Sequence, residues 1–266
     1  MATLPLPVPD ITTYDVLGTP FELPSEDGIP LETDWHRLEI SLFVELVTLA
    51  FKPREDFFVG GNMFIYFDPQ KARNNQFRGP DIFFVRDSHL NPPRPYWATW
   101  DEGGKKPNVI VELTSPSTFS KDFGVKKDVY ERDLQTNEYF IFDWPERRLW
   151  GWRLNESGRY QSIEPNEEGR MWSEQLGMSL GQWQGEYLGK TDVYLRLFDA
   201  NGELIPNAME RTEAEALRAD FEADRADAES RRADVESRRA DAESRRAEAE
   251  RQRADALEEE IRRLRH

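Results

Sequence analysis

The chain contains no cysteine, which excludes disulfides and thiolate metal sites. That absence fits a reducing compartment. No apolar run is long enough for a membrane span. The longest, Ile40 to Phe51, is broken by Ser41, Glu45 and Thr48 and is about half the roughly 20 residues a span requires. The opening MATLPLPVPDITTYD has neither the basic region nor the apolar stretch of a secretory signal. A soluble, cytoplasmic protein without membrane contact is therefore expected. Basic charge is also in deficit: 35 Lys and Arg stand against 51 Asp and Glu, a net of −16 over 266 residues. Residues 211–266 hold 14 arginines and 17 acidic residues, so residues 1–210 hold 21 basic and 34 acidic ones, a net of −13. Such a field repels phosphate backbones. A role on DNA would need a local basic patch or a bound metal.

What is present falls into three parts. Residues 1–33 carry Pro5, Pro7, Pro9, Pro20, Pro24 and Pro30, which points to an extended arm. Residues 34–207 hold the periodic segments of a mixed α/β (α+β) domain. Leu38, Leu42, Leu46 and Leu49 recur at helical spacing, with Asp34 as a candidate N-cap, which predicts a helix over 34–51. DFFVGGNMFIYFD (56–68) predicts a strand with a bulge or tight turn at Gly-Gly. Strands are expected in DIFFVRD (81–87), NVIVELTS (108–115), EYFIFDW (138–144) and RRLWGWRL (147–154), and more weakly in 158–164 and 192–198. A helix is expected over 121–134. From residue 208 a heptad takes over, with Ala219, Ala226, Ala233, Ala240, Ala247, Ala254 and Ile261 seven apart. If these are a positions, the d positions are Glu229, Glu236, Glu243 and Glu250, becoming leucine only at Leu257 and Leu264. A coiled-coil seam wants apolar residues at both. Pairs such as Asp227–Arg231, Asp234–Arg238 and Asp241–Arg245 instead suit a solvated helix held by ion pairs, whose tip alone could pair.

Phosphodiester hydrolysis at neutral pH calls for a divalent cation, and magnesium is usually held by one or two carboxylates plus water. The search is thus for carboxylates at the ends of adjacent strands with a lysine nearby. Asp81 opens one strand and Glu112 lies inside another, among Ile110, Val111 and Leu113. A carboxylate in such a strand is rarely buried without a partner. Asp122, Lys126 and Tyr130 follow at intervals of four, on one helix face. The plainer alternatives are that Asp81 caps the strand entry after Pro80 and that Glu112 is a salt-bridged strand residue. Ser115-Pro116-Ser117-Thr118 reads as a turn that starts the helix with hydroxyl caps. His36 could face the site, as could Glu39 or Glu45 on the same helix. His89 and His266 have no partner in view. Most aromatics fall in strand patterns and suit the core, with Tyr96, Trp97 and Trp100 as loop candidates for base stacking.

GPD (79–81), VELTSPST (111–118), D-x3-K-x3-Y (122–130) and EYFIFD (138–143), in this order, resemble the Uma-two family of restriction-endonuclease-like proteins in the PD-(D/E)xK superfamily. LPSEDGIPLETDWH (23–36) resembles the opening of one branch, and the likeness spans roughly 20–205. It implies a restriction-endonuclease-like core, a central mixed sheet flanked by helices. It also implies Asp81 and Glu112 as ligands of Mg²⁺ or Mn²⁺, DNA as substrate, and action as a dimer. The superfamily pattern places a lysine two residues after the glutamate. Here that position is Thr114, and Lys126 is the natural substitute, ahead of Lys127, which points off the face. Two functions remain open: a Mg²⁺-dependent DNA endonuclease, or an inactive nuclease-fold binding or assembly module that oligomerises through its C-terminal helix.

Overall fold

The computed structural model describes residues 33–264 except Asn75, together with Thr13–Tyr14 and Pro20–Phe21. Most of the proline-rich arm and His266 lie outside the described residues. Within the arm, β1 (Thr13–Tyr14) pairs antiparallel with β2 (Pro20–Phe21). Helix α1 (Asp34–Phe51) covers the span its leucine periodicity predicts. Its N-cap is Thr33 rather than Asp34: the Thr33 hydroxyl accepts the His36 amide at 3.1 Å, and Asp34 already lies in the first turn.

The strands are β3 (Phe57–Gly61), β4 (Ile65–Tyr66), β5 (Ile82–Arg86), β6 (Trp97–Ala98), β7 (Val109–Thr114), β8 (Glu138–Asp143), β9 (Arg148–Leu154), β10 (Tyr160–Ser162), β11 (Met171–Ser173), β12 (Met178–Tyr187) and β13 (Lys190–Phe198). Six form the main sheet in the order β10-β9-β8-β7-β5-β3. Only the central β7–β8 pair is parallel, with Glu112 opposite Ile141, so the sheet is mixed. A parallel pair needs a crossover. Here it is the helical stretch 119–134, hereafter the site helix. β11, β12 and β13 form a separate antiparallel sheet, and β4 pairs with β6 in parallel.

Alternation along β7 sorts the core. Val109, Val111 and Leu113 join Leu42, Phe43, Leu46, Tyr194 and Leu195 in a cluster between the main sheet, α1 and β13. Ile110 joins Phe83, Tyr130, Leu134, Tyr139 and Ile141 on the opposite face, under the site helix. The main sheet is thus covered on both faces, as a nearly unbroken apolar central strand requires. Gly61 fixes the seating of α1, because a Cβ there would collide with Ile40 Cγ2.

The segment 56–68 is two strands in different sheets rather than one, divided at Asn62, whose φ is +48°. β12, the longest described strand, and the short β11 were not legible in the sequence. Their glycines and polar residues break the period-two signal, and packing against β13 overrides it. The site helix is not uniformly α-helical: π-helical turns occupy Asp122–Lys126 and Tyr130–Leu134. Such wide turns are rare and often occur at functional positions. The chain divides into two compact units, residues 1–208 and 209–266. The heptad region is a single helix, Ala208–Leu264, whose 57 residues span about 85 Å at 1.5 Å each. None of the described helices is long and apolar enough to cross a membrane.

Candidate active site

The site begins with a buried glutamate that cannot stand alone. Glu112 is fully buried in a strand buried on both faces. Its two oxygens are taken by the site helix: Lys126 Nζ donates to Oε2 at 2.9 Å, and the Tyr130 hydroxyl donates to Oε1 at 2.8 Å. Lys126 also pairs with Asp122 Oδ1 at 2.8 Å. Asp122 is buried as well, and its other oxygen accepts the Thr114 hydroxyl at 2.7 Å. The four-residue spacing of Asp122, Lys126 and Tyr130 thus places all three around Glu112.

Asp81 completes the group from the other layer. It precedes β5, whose Ile82 faces Val111 of β7. One oxygen of Asp81 lies 2.8 Å from His36 Nε2, and the other accepts the Leu113 amide at 2.7 Å. The two carboxylates are therefore held from opposite faces of the sheet, Asp81 by α1 and Glu112 by the site helix. Lys126 retains 24% side-chain exposure and Asp81 17%, which gives the site an open side.

Electrostatics follow from this crowding. Burial, with Asp81 and Asp122 adding to it, pushes the Glu112 carboxyl up to about 8 against the pull of Lys126. Burial works against the Lys126 charge, but Glu112, Asp122 and Asp81 outweigh it and raise its pKa above the ordinary lysine value. Burial would also raise Asp81, yet His36, Lys126 and the Leu113 amide hold it below the usual carboxylate range. Burial, then the neighbouring Glu112, keeps the Tyr130 phenol protonated and a donor.

These features bear on metal binding. Among the described residues no group of three His, Cys, Asp or Glu side chains is arranged to cage a metal. Magnesium needs no such cage, because water completes a shell begun by one or two carboxylates. Asp81 and Glu112 supply hard oxygens, and each carboxylate oxygen has a lone pair beyond the one its hydrogen bond uses. Burial first, and then the nearby Asp81 and Asp122, disfavour the charged form of Glu112. A divalent cation between Asp81 and Glu112 would favour the charged form of both. The residues fit Mg²⁺ or Mn²⁺.

The remaining candidates lie elsewhere. Glu39 is fully buried against β13, where one oxygen accepts the Leu195 amide at 3.1 Å. Glu45 accepts the Tyr187 hydroxyl at 3.3 Å and the Ala208 amide at 2.8 Å. Lys127 sits 4.9 Å from the Trp152 ring, off the Glu112 face. His89 is exposed, and its carbonyl accepts Arg94 at 2.8 Å. Ser115–Thr118 is a turn, but its hydroxyls do not cap the helix: Thr118 makes no side-chain cap bond and instead accepts the Ser115 amide at 3.1 Å. Tyr96 and Trp97 are not surface platforms. Both are buried, Trp97 as part of β6. The role of Thr114 was missed because a lone threonine in a strand carries no signal until its partner eight residues on is placed beside it.

No curated protein matches the chain. A crystal structure from Anabaena variabilis ATCC 29413, described as a "putative nuclease belonging to DUF820", is similar at 13% identity, with 60% of this chain and 79% of that one covered and a TM-score of 0.41. The model of the Uma2 family, described as "Putative restriction endonuclease", matches residues 26–189, well over half of the 266. The chain belongs to the Uma2 family.

Proposed function

We propose that this protein is a divalent-metal-dependent endonuclease that hydrolyses DNA phosphodiester bonds. Asp81 and Glu112 would hold Mg²⁺ or Mn²⁺, and Lys126 would serve the reaction. The observation that carries this is the placement of Lys126 Nζ, 2.9 Å from Glu112 and 2.8 Å from Asp122. It offers the lysine that position 114 lacks, from the helix instead of the strand. Family membership supports the same reaction class.

The bound cation would neutralise phosphate charge and lower the pKa of water. The protein's own groups do the rest. Tyr130 fixes one oxygen of Glu112 and Lys126 the other. His36 and the Leu113 amide fix both oxygens of Asp81, so the carboxylates are preorganised. Lys126, partly open to solvent, is placed to donate to an attacking water or to a non-bridging phosphate oxygen. Asp122 holds the ammonium from behind.

The test is titration calorimetry of Mg²⁺ and Mn²⁺ with a plasmid-nicking assay. Binding and nicking should both be lost in Asp81→Ala and Glu112→Ala, whereas Lys126→Met should bind metal and fail to nick. Nicking retained by Glu112→Ala would overturn the assignment. A second reading, an inactive assembly module, draws on the net −13 of residues 1–210. Metal binding without nicking by the wild type would favour it. Action as a homodimer, through the core or the C-terminal helix, belongs to the same proposal.

A further inference from the structure

The site helix carries a second row, offset by one residue from the catalytic one. Phe119, Phe123 and Lys127 follow each other at four-residue spacing, as Asp122, Lys126 and Tyr130 do. This row meets the alternate residues Trp150 and Trp152 of β9. Phe119 stacks on Phe123 with centroids 4.4 Å apart, and Phe123 meets the edges of Trp150 at 4.9 Å and Trp152 at 5.6 Å. Arg148 lies over Trp150 at 4.9 Å and Lys127 over Trp152 at the same distance. Phe119 is left 39% exposed, at the first turn of the helix and one residue past the Ser115–Thr118 turn that leaves β7.

Core packing accounts for Phe123, Trp150 and Trp152, which are partly covered. It does not account for Phe119, nor for the cations. Residues 1–210 hold 34 acidic side chains against 21 basic ones. Yet neither Lys127 nor Arg148 makes an ion pair among the described residues; each lies over a tryptophan instead. An aromatic edge flanked by unpaired cations is complementary to a chain of phosphates bearing flat bases.

We propose that Phe119, with Lys127 and Arg148, forms a platform for a single-stranded stretch of nucleic acid beside the candidate active site, a base stacking on Phe119 while the cations follow its phosphates. This rests on the nuclease proposal for its substrate class, but not on cleavage. A frayed or displaced strand would then be led past the Ser115–Thr118 turn toward Asp81 and Glu112.

The experiment is fluorescence anisotropy of the full-length chain with a labelled oligothymidine 12-mer and a duplex of the same length, in EDTA so that nothing is cut. The wild type should bind the single strand in preference, with a salt dependence reporting about two phosphate contacts. Phe119→Ala should weaken it about tenfold, as loss of one stacked base does, and Phe119→Trp should restore it. Arg148→Gln should lower the salt slope by about 0.7, one contact on a single strand. Absence of single-strand binding, or affinity unchanged in Phe119→Ala, would overturn the platform. So would self-association lost in Phe119→Ala without oligonucleotide binding, which would make the strip a protein contact. Nicking absent from every chain while Phe119→Ala still costs tenfold would remove the nuclease reading and leave the platform standing.

Discussion

The Thr114 hydroxyl donates to Asp122 at 2.7 Å, and the other oxygen of Asp122 holds Lys126 at 2.8 Å. Position 114 is where the superfamily pattern has its lysine. Here that position acts through a helix that brings a lysine back to the same glutamate. Thr114→Val preserves shape and removes the donor. It should lower nicking at least tenfold, with Thr114→Ser restoring it. Because Asp122 is buried, melting should also show a loss of about 1–3 kcal/mol for the oxygen left without a donor. A mutant with unchanged activity and stability would show that Asp122 positions Lys126 unaided.

Lys126 is the cation common to Glu112 and Asp122. Lys126→Met should abolish nicking, a fall of about 10²–10⁴ if the lysine transfers a proton. It should also destabilise the fold, by up to about 3–5 kcal/mol at a pH above 8, where Glu112 ionises in the wild type and its buried charge has no partner in the mutant. Glu112 already sits near 8, above its ordinary 4.5. Without Lys126 it rises further. A carboxyl raised on folding stabilises fully below its unfolded pKa and loses that contribution as pH climbs through its folded one. The deficit of Lys126→Met should therefore be level from about pH 5 to pH 7, where both folded chains keep the Glu112 proton, and grow as pH climbs through about 8, as thermal melts from pH 5 to pH 9 would show. A deficit independent of pH would mean that the loss is one of packing alone.

The main elements of the fold were legible because their signals are local. The leucine row of α1, the apolar runs of β5, β7 and β8, and the Asp122–Lys126–Tyr130 spacing each lie within 18 residues. Sequence also singled out Asp81, Glu112 and Lys126, which the fold brings together. It offered His36 beside Glu39 and Glu45 as residues of α1 that could face the site, but only packing of α1 across the sheet makes His36 the neighbour of Asp81, 45 positions away. Nor did it reveal that Trp97 is buried, because a proline-rich loop suggested surface for it. Burial there depends on which sheet covers the segment, a tertiary property.

Glu39 supplies a pH signal away from the candidate site. Burial, opposed by the Leu195 amide and Arg196, pushes its carboxyl up to about 8 from 4.5. Its contribution is complete below about pH 4.5 and is lost as pH rises through about 8, by about 1 kcal/mol per pH unit at most. Glu39→Gln cannot ionise. The stability difference between wild type and this mutant should thus shift in favour of the mutant from pH 5 to pH 8 and level off beyond, without change in nicking at fixed pH. Parallel stability curves would show that Glu39 is ionised throughout.

The C-terminal helix is charged along its length, and its alanine row meets glutamate rather than leucine at the partner positions until Leu257. Arg231 Nε reaches back to the Asp227 carbonyl at 3.2 Å, a contact within one helix that needs no partner chain. Alanine propensity and the i, i+4 pairs stabilise such a helix in water. Leu257 and Ile261, four apart and both exposed, fall on the d and a positions, whereas Leu217 and Phe221, also four apart and exposed, fall off that seam. Self-association through this helix should therefore run through the tip, and Leu257→Glu with Ile261→Glu should make the chain monomeric in sedimentation equilibrium while circular dichroism keeps its helical signal. Salt should lower helicity slightly, because the exposed pairs are screened. Should the double mutant remain dimeric with the same affinity, the contact lies in the body or in the alanine row. The helix would then be a spacer of about 85 Å and not a zipper.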